Sequence, residues 1–265
     1  MDNKSRRDFL KETGALALGL SCGAPLVASS CTSSIRGDAL AERKWAMVID
    51  MEKATDGAVR RACREACEEA HNVPKIPEPT EEIRWIWDEK YHDVFEDQIH
   101  DYTPQEVLDA PVLVLCNHCT NPPCVRVCPT QATWKRESDG LVMMDMHRCI
   151  GCRYCMAACP YAARSFNWRD PRPFIPTDSD GNFPSEFPTR TRGVVEKCNF
   201  CADRLRDGLA PACVEAANQV PGKEGALVFG DLMDPDSEVS RILREKRTIS
   251  RRVSLGTGPK VFYIV

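Results

Sequence analysis

The chain has 265 residues, which is enough to bury a sizeable core in one domain or in two small ones. Its formal net charge of −4, with no basic block after the first few residues, argues against a nucleic-acid-binding protein. Its fifteen cysteines are odd in number and grouped in Cys-x2-Cys pairs, which fits a disulfide framework poorly and indicates metal centres.

The amino terminus predicts an export signal. Paired arginines at positions 6 and 7 precede a weakly apolar run over 15–28, which is too short and too interrupted to span a bilayer. This pattern is typical of the twin-arginine route, which carries folded proteins and so suits a cofactor assembled before export. We therefore predict a signal peptide over residues 1–31, cleaved between Ala28 and Cys31, and a periplasmic mature protein without a transmembrane helix of its own. Lipidation of Cys31 is the alternative.

Four strand-like runs in the rest of the chain each precede a unit that contains cysteines. They begin at Trp45, Val112, Leu141 and Gly193. An insertion over 75–110 follows the first unit, and its aromatic residues are expected to pack onto the core rather than to form a partner surface. Four such units suggest two pairs.

The second and third units carry the cysteine spacing of bacterial ferredoxins. Residues 149–160 follow the pattern C-x2-C-x2-C-x3-C-P, and residues 116–129 repeat it with two extra residues. In this pattern the first three thiolates bind one 4Fe-4S cube and the fourth binds a different cube. Tetrahedral zinc is the alternative, but its Cys-x2-Cys pairs stand far apart, whereas four sulfurs here lie within eleven to thirteen residues. His118 and His147 are interpreted as hydrogen-bonding residues, because four thiolates are already available at each neighbouring site.

The exchange of fourth cysteines between units predicts the ligand sets. Units two and three then bind two cubes between them, and each unit gives its fourth cysteine to the other's cube. One cube is bound by Cys116, Cys119, Cys124 and Cys159, and the other by Cys149, Cys152, Cys155 and Cys128. The fourth unit supplies Cys198, Cys201 and Cys213, and Ala217 stands where its own exported cysteine is expected.

The first unit lacks the leading cysteines of the motif. It has no cysteine from 54 to 62 and keeps only Cys63 and Cys67. The exchange rule makes Cys67 the fourth ligand of the unit-four cube, with Cys63 as the competing candidate. The cube that unit one would have bound is the same cube that would have needed a cysteine at 217, so both sides of a fourth site are missing together. We predict three 4Fe-4S clusters on twelve cysteines.

These units predict an α+β fold with two ferredoxin-like lobes that bind 4Fe-4S clusters, together with an insertion and surface loops. The predicted divisions are a one-cluster lobe from 43–74 with 190–235, the insertion 75–110, a two-cluster lobe 111–170, and a C-terminal helix and strand over 236–265.

The cysteine motifs resemble those of the four-cluster ferredoxin subunits of the complex iron–sulfur molybdoenzyme family and of NrfC-like proteins. The likeness covers roughly residues 44–265 and includes CNHCTNPPCVRVCP and CIGCRYCMAACPYAAR. In that family an Asn-x-Val-Pro element follows the fourth cysteine of the first motif. Here 71–74, His-Asn-Val-Pro, stands in that place, and the resemblance therefore assigns the ligand role to Cys67 and not to Cys63.

The export signal, the first strand and the insertion are also similar to the periplasmic iron–sulfur subunit of the Dsr transmembrane complex of sulfur-metabolising microbes. The resemblance implies an electron-transfer subunit without catalytic residues, working between a polytopic quinone-interacting membrane subunit (NrfD-like) and a redox partner such as a multihaem cytochrome c. The missing first cube argues against docking to a molybdopterin subunit, and service to a periplasmic molybdopterin or other reductase is the alternative. An enzyme with an open iron site is disfavoured, because each predicted cube has four thiolates.

Overall fold

The structure is a computed structural model that describes residues 43–177, 179–185 and 187–265. The predicted export signal over 1–31, with Cys22 and Cys31, lies outside the described residues. Helices and strands both occur in the described part, as the α+β prediction requires. None of the described helices is long and apolar enough to cross a bilayer.

The strands form one four-stranded sheet and three two-stranded sheets within the described ranges. In chain order they are β1 (Trp45–Asp50), β2 (Ile86–Lys90), β3 (Pro111–Leu115), β4 (Thr133–Lys135), β5 (Val142–Met144), β6 (Ser165–Phe166), β7 (Val195–Glu196), β8 (Leu227–Asp231), β9 (Thr248–Ile249) and β10 (Val261–Ile264). The larger sheet has the order β8–β1–β10–β9, in which β1 is parallel to β10 and antiparallel to β8.

The strand that follows each cysteine unit pairs with the strand that precedes the next unit. Thus β2 pairs with β3, β4 with β5 and β6 with β7, all antiparallel, and β8 after the fourth unit closes onto β1 before the first. The four predicted strands before the units are confirmed, and their partners β2, β4 and β6 are additions. Two of these pairs cross the predicted domain boundaries, so the division into two lobes stays a prediction.

Helices carry five of the cysteines in the described residues. They are α1 (Met51–Ala54), α2 (Gly57–His71), α3 (Tyr91–Val94), α4 (Gln105–Leu108), α5 (Pro123–Arg126), α6 (Tyr154–Ala157), α7 (Ala202–Arg206), α8 (Ala212–Gln219) and α9 (Glu238–Glu245). Single 3-10 turns lie at Pro79–Glu81, Glu96–Gln98, Arg172–Phe174 and Val253–Leu255.

Helix α2 is the longest of these and occupies the first cysteine unit. The Asp56 side chain accepts a hydrogen bond from the backbone N–H of Ala58 and caps its amino end. Asn72 adopts the left-handed conformation that ends it, with φ of 50°, and Pro74 follows. The unit is therefore a regular helix and not a cluster-binding turn.

The insertion packs onto the core, as its aromatic residues led us to expect. Trp85 and Trp87 are buried. The ring of Phe95 meets that of Tyr263 edge to face with centroids 5.1 Å apart, and the Tyr263 hydroxyl donates to the carbonyl of Leu113. Aromatic contacts thus fix the insertion against β3 and β10.

Candidate metal centres

Three of the four cysteine units form the same turn. The residue before the second cysteine has a left-handed backbone in each, with φ of 42° at His118, 70° at Gly151 and 56° at Phe200. Only glycine fits at 151, because a Cβ there would overlap the carbonyl oxygen of Gly193. The same backbone conformation at equivalent positions indicates that the three turns bind the same kind of group in the same way.

Backbone N–H groups in these turns point at sulfur atoms. The N–H of Phe200 donates to Cys198 Sγ and the N–H of Ala212 to Cys201 Sγ, each at 3.4 Å. Burial raises the pKa of the Cys128 thiol, but hydrogen bonds, mostly from backbone N–H groups that follow it in the chain, together lower it by a larger amount. The pKa therefore falls below its ordinary value. Hydrogen bonds of this kind stabilise thiolate over thiol.

The first group of cysteines surrounds a cavity beneath the end of β3. Its members are Cys116, Cys119, Cys124 and Cys159. Cys116 directly follows β3, Cys124 lies on α5, and Cys159 comes from the end of the third unit. The structure therefore brings together the four cysteines that the exchange rule predicted for one cube.

The second group surrounds a neighbouring cavity. Its members are Cys128, Cys149, Cys152 and Cys155. Three come from the third unit, and Cys128 comes from the end of the second, which mirrors the first group. The grouping agrees with the prediction, whereas the role of these thiols as ligands stays a prediction.

The third group consists of Cys67, Cys198, Cys201 and Cys213. Burial raises the pKa of Cys67 well above its ordinary value, and the charges of Cys198 and Cys201 add to the effect. Burial also raises the pKa of Cys213, with contributions from the same neighbours. Cys67 therefore lies beside the fourth-unit cysteines, as predicted, although Cys63 is close as well.

Cys63 lies one helical turn before Cys67 and is fully buried. Its Sγ donates to the carbonyl oxygen of Cys213 at 3.4 Å. Burial raises its pKa to about 12. The thiol therefore behaves as a hydrogen-bonded core residue beside the third group.

Helix packing occupies the place where the sequence predicts that a fourth site is missing. Helices α2 and α8 are in extensive contact, and Ala217 on α8 is fully buried together with Cys63 on α2. On its other side α2 is tied to β2 through Arg60 and Arg64, which both pair with Asp88. The lost turn and the small side chain at 217 belong to one close helix–helix contact.

The first cavity suits an anionic group. Arg164 lines it, is 5% exposed and has no carboxylate at ion-pair distance among the described residues. The side-chain amide of Asn117 lines the same cavity without a hydrogen-bond partner in the described part of the chain. Uncompensated buried cations are costly. A cluster with four thiolates would supply negative charge and acceptors, so the residues present fit it.

Metal binding would also relieve the buried thiols. Burial raises the pKa of Cys119 and of Cys198 to about 12 and that of Cys201 to about 11, each with smaller contributions from nearby charges. Metals displace such protons. In the described ranges no three Cys, His, Asp or Glu side chains converge on a point that could hold one ion. A cube needs no such convergence, because each thiolate binds a different iron.

His118 connects the first group to the third. Its Nδ1 accepts from the backbone N–H of Val142 and its Nε2 donates to the carbonyl of Cys198, both at 3.1 Å. Its ring stacks on Phe200 with centroids 3.9 Å apart. Burial lowers its pKa well below the ordinary value, so the imidazole is neutral. The expectation that His118 forms hydrogen bonds and is no ligand agrees with these contacts.

The strand pairing, the repeated turns and the clustered thiols define an iron–sulfur protein of ferredoxin type. Residues 112–172 match the family described as the 4Fe-4S dicluster domain. The chain is 41% identical, over 98% of its length and 97% of the relative, to the Hdr-like menaquinol oxidoreductase iron-sulfur subunit 1 of Archaeoglobus fulgidus. It is 36% identical to the menaquinone reductase iron-sulfur cluster-binding subunit of Nitratidesulfovibrio vulgaris, over 83% of this chain and 88% of that one. It is 34% identical to protein NrfC of Escherichia coli, over 98% and 95%. The chain belongs to this family of iron–sulfur electron-transfer subunits.

Proposed function

We propose that the protein relays electrons through three 4Fe-4S clusters within a membrane-bound, quinone-linked respiratory complex. The observation that carries the proposal is the set of three cysteine quartets, each drawn from two units of the chain. Clusters bound there would supply one-electron transfer without a substrate of the protein's own. The twelve cysteines of the three groups hold them as ligands.

The first group neighbours both the second and the third. The charge of Cys124, in the first group, raises the pKa of Cys155, in the second, after the larger effect of burial. In the same way Cys116 of the first group acts on Cys198 of the third. Electrons then pass between the second and third groups by way of the first. His118, neutral and fixed by two hydrogen bonds, holds the first and third groups at constant separation.

The surface around the second group suits a membrane partner. Ile150 and Tyr154, on the turn and helix that carry its cysteines, are 66% and 63% exposed. Trp168 is also exposed and is covered on one face by the Arg153 guanidinium at 4.7 Å. Exposed apolar side chains that cluster together mark protein interfaces. We assign this surface to a polytopic quinone-interacting subunit of the NrfD-like kind.

The surface beside the third group suits a partner with a basic surface. A groove of about 740 Å³ runs between α2 and α8, and Ala66 and Glu68, which flank Cys67, line it. Glu65, Glu69 and Glu215 also line this groove. Lys75 and Arg204 line it as well and pair with Glu68 and Glu215, so the excess of glutamates leaves the lining with a net negative charge. A multihaem cytochrome c with lysines around its haem edge is the proposed partner there.

We further propose twin-arginine export, a periplasmic location and a role in sulfur metabolism, with one- and two-cluster lobes divided as the sequence predicts. Relatives named as part of a tetrathionate reductase and as an arsenate respiratory reductase iron-sulfur subunit support the alternative of service to a reductase. The helix that fills the fourth site favours the quinone-linked complex, because the cluster that would face a molybdopterin subunit has no turn to bind it.

The test is anaerobic quantitation of iron and sulfide in the mature protein, followed by reductive titration with EPR. We expect about twelve irons per chain and an uptake of about three electrons, one for each cluster. Stoichiometric zinc, or a protein that accepts no electrons, would refute the proposal.

A further inference from the structure

One guanidinium lies between the first and second cavities. Arg164 directly precedes β6 and lines the first cavity. Its Nη2 donates to Thr133 Oγ1 at 2.8 Å, and its Nη1 contacts Met144 Sδ at 3.8 Å. Met144 lines the second cavity. The side chain therefore reaches from one cysteine group to the other.

The positive charge of Arg164 is directed at sulfur. Burial by itself lowers the pKa of Arg164, but the charges of Cys124, Cys155 and Cys116 raise it above the ordinary value. These cysteines belong to both the first and the second group. The side chain is 5% exposed and forms no ion pair with a carboxylate in the described part of the chain, so solvent and counter-charge do little to screen it.

We propose that Arg164 raises the reduction potentials of the clusters in the first and second groups together and leaves that of the third group unchanged. Each reduction adds one electron and no proton to a cluster, so the reduced form is the more negative one. A fixed cation stabilises this form more than the oxidised form, and net charge and hydrogen bonds to sulfur are established determinants of cluster potential. One residue thereby shifts both potentials in the same direction, so that the transfer step between these two clusters stays matched in energy. This inference rests on the proposed function.

Lys260 provides a matched contrast within the same chain. It is as deeply buried as Arg164, and its Nζ donates to the carbonyl of Gly140 at 2.6 Å. The cysteines that act on its charge are Cys119 and Cys116, both of the first group. Removing the charge of Lys260 is therefore expected to affect one cluster where removing that of Arg164 affects two.

The experiment compares Arg164→Met with Lys260→Met by EPR-monitored potentiometric titration of the mature holoprotein. Signals are assigned beforehand with Cys152→Ser and Cys201→Ser, which perturb the second and third clusters respectively. We expect R164M to lower two potentials and K260M to lower one, with the third-group potential unchanged in both. Arg164→Lys retains the charge without the planar fork and should recover part of both shifts. Unchanged potentials in R164M, or a shift confined to one cluster, would overturn the inference.

Iron content separates the possible failures. If the wild-type protein holds no clusters, the proposed function itself is wrong. If wild type holds three and R164M retains them with unaltered potentials, only the inference about Arg164 is wrong. If R164M cannot retain iron, Thr133→Val decides. It removes the oxygen acceptor that orients the guanidinium, and it should lower the same two potentials by less. Unchanged potentials in T133V would then refute the inference.

Discussion

Replacing Cys67 and Cys63 separately by serine tests which of the two thiols serves the third cluster. Cys67→Ser removes one of the four thiolates that stand together with Cys198, Cys201 and Cys213. We expect the iron content to fall from about twelve to about eight atoms per chain, because one cube carries four irons. The measurement is anaerobic iron and sulfide quantitation, supported by EPR of the reduced protein.

Cys63→Ser is the matched control, one turn earlier on the same helix. The Cys63 thiol is fully buried and donates to the Cys213 carbonyl, and a serine hydroxyl keeps that donor. We expect all three clusters to remain, with a destabilisation of about 1 kcal/mol for the altered buried hydrogen bond. In a chain of this size that lowers the melting temperature by about 2–4 °C.

The reverse pattern would show that the ligand of the first unit is assigned to the wrong cysteine. Loss of a cluster in the Cys63 variant, with the Cys67 variant intact, would make Cys63 the ligand. About sixteen irons in the wild-type protein would show that a fourth cluster exists in spite of the continuous helix α2.

Other changes should have equally specific results. Gly151→Ala introduces a Cβ against the carbonyl of Gly193 and should cost the second cluster its four irons, whereas Gly181→Ala, at a position with open space around the Cβ, should leave the iron content unchanged. Ala217→Leu overpacks the contact between α2 and α8 and should destabilise the protein by about 1–3 kcal/mol in chemical denaturation. Ala217→Cys should add no iron, because with Cys63 it supplies only half of a ligand set. Removing the clusters with a chelator should lower the melting temperature measured by circular dichroism, because the buried guanidinium of Arg164 in the first cavity then loses its counter-charge. Replacing both Arg6 and Arg7 by lysine should leave the cluster-loaded protein in the cytoplasm, as judged by fractionation.

The groups of cysteines could be predicted because the spacing of thiols along the chain is itself the constraint. Three cysteines two or so residues apart wrap one site, and the fourth, held by the proline after it, has to point elsewhere. The exchange between units accounts for a first-unit cysteine lying next to Cys213, whereas the choice of Cys67 over Cys63 rested on the family resemblance of 71–74. The four strands before the units were also predictable, since each is a short apolar run.

The partner strands β4 and β6 were not predictable, because they have three residues or fewer and show no periodicity of their own. Their pairing depends on the units that they join. Helix α2 was missed for a different reason. The absence of cysteines from this segment does not indicate its secondary structure. Asp56 and Asn72, however, are ordinary signals for the start and end of a helix. Arg164 carries no sequence signal of burial, since arginine is seldom buried without a partner.

The strand after each unit pairs with the strand before the next unit, so the four units are joined in a closed circuit by backbone hydrogen bonds. These hydrogen bonds do not depend on metal. A unit can therefore give up its cofactor without opening the circuit, provided that something of similar volume takes its place. In the proposed three-cluster arrangement, helix α2 does this in the first unit. A fold of this kind allows electron-transfer subunits with different numbers of clusters. One cluster site can be absent at one end, while the spacing of the other cluster sites is preserved.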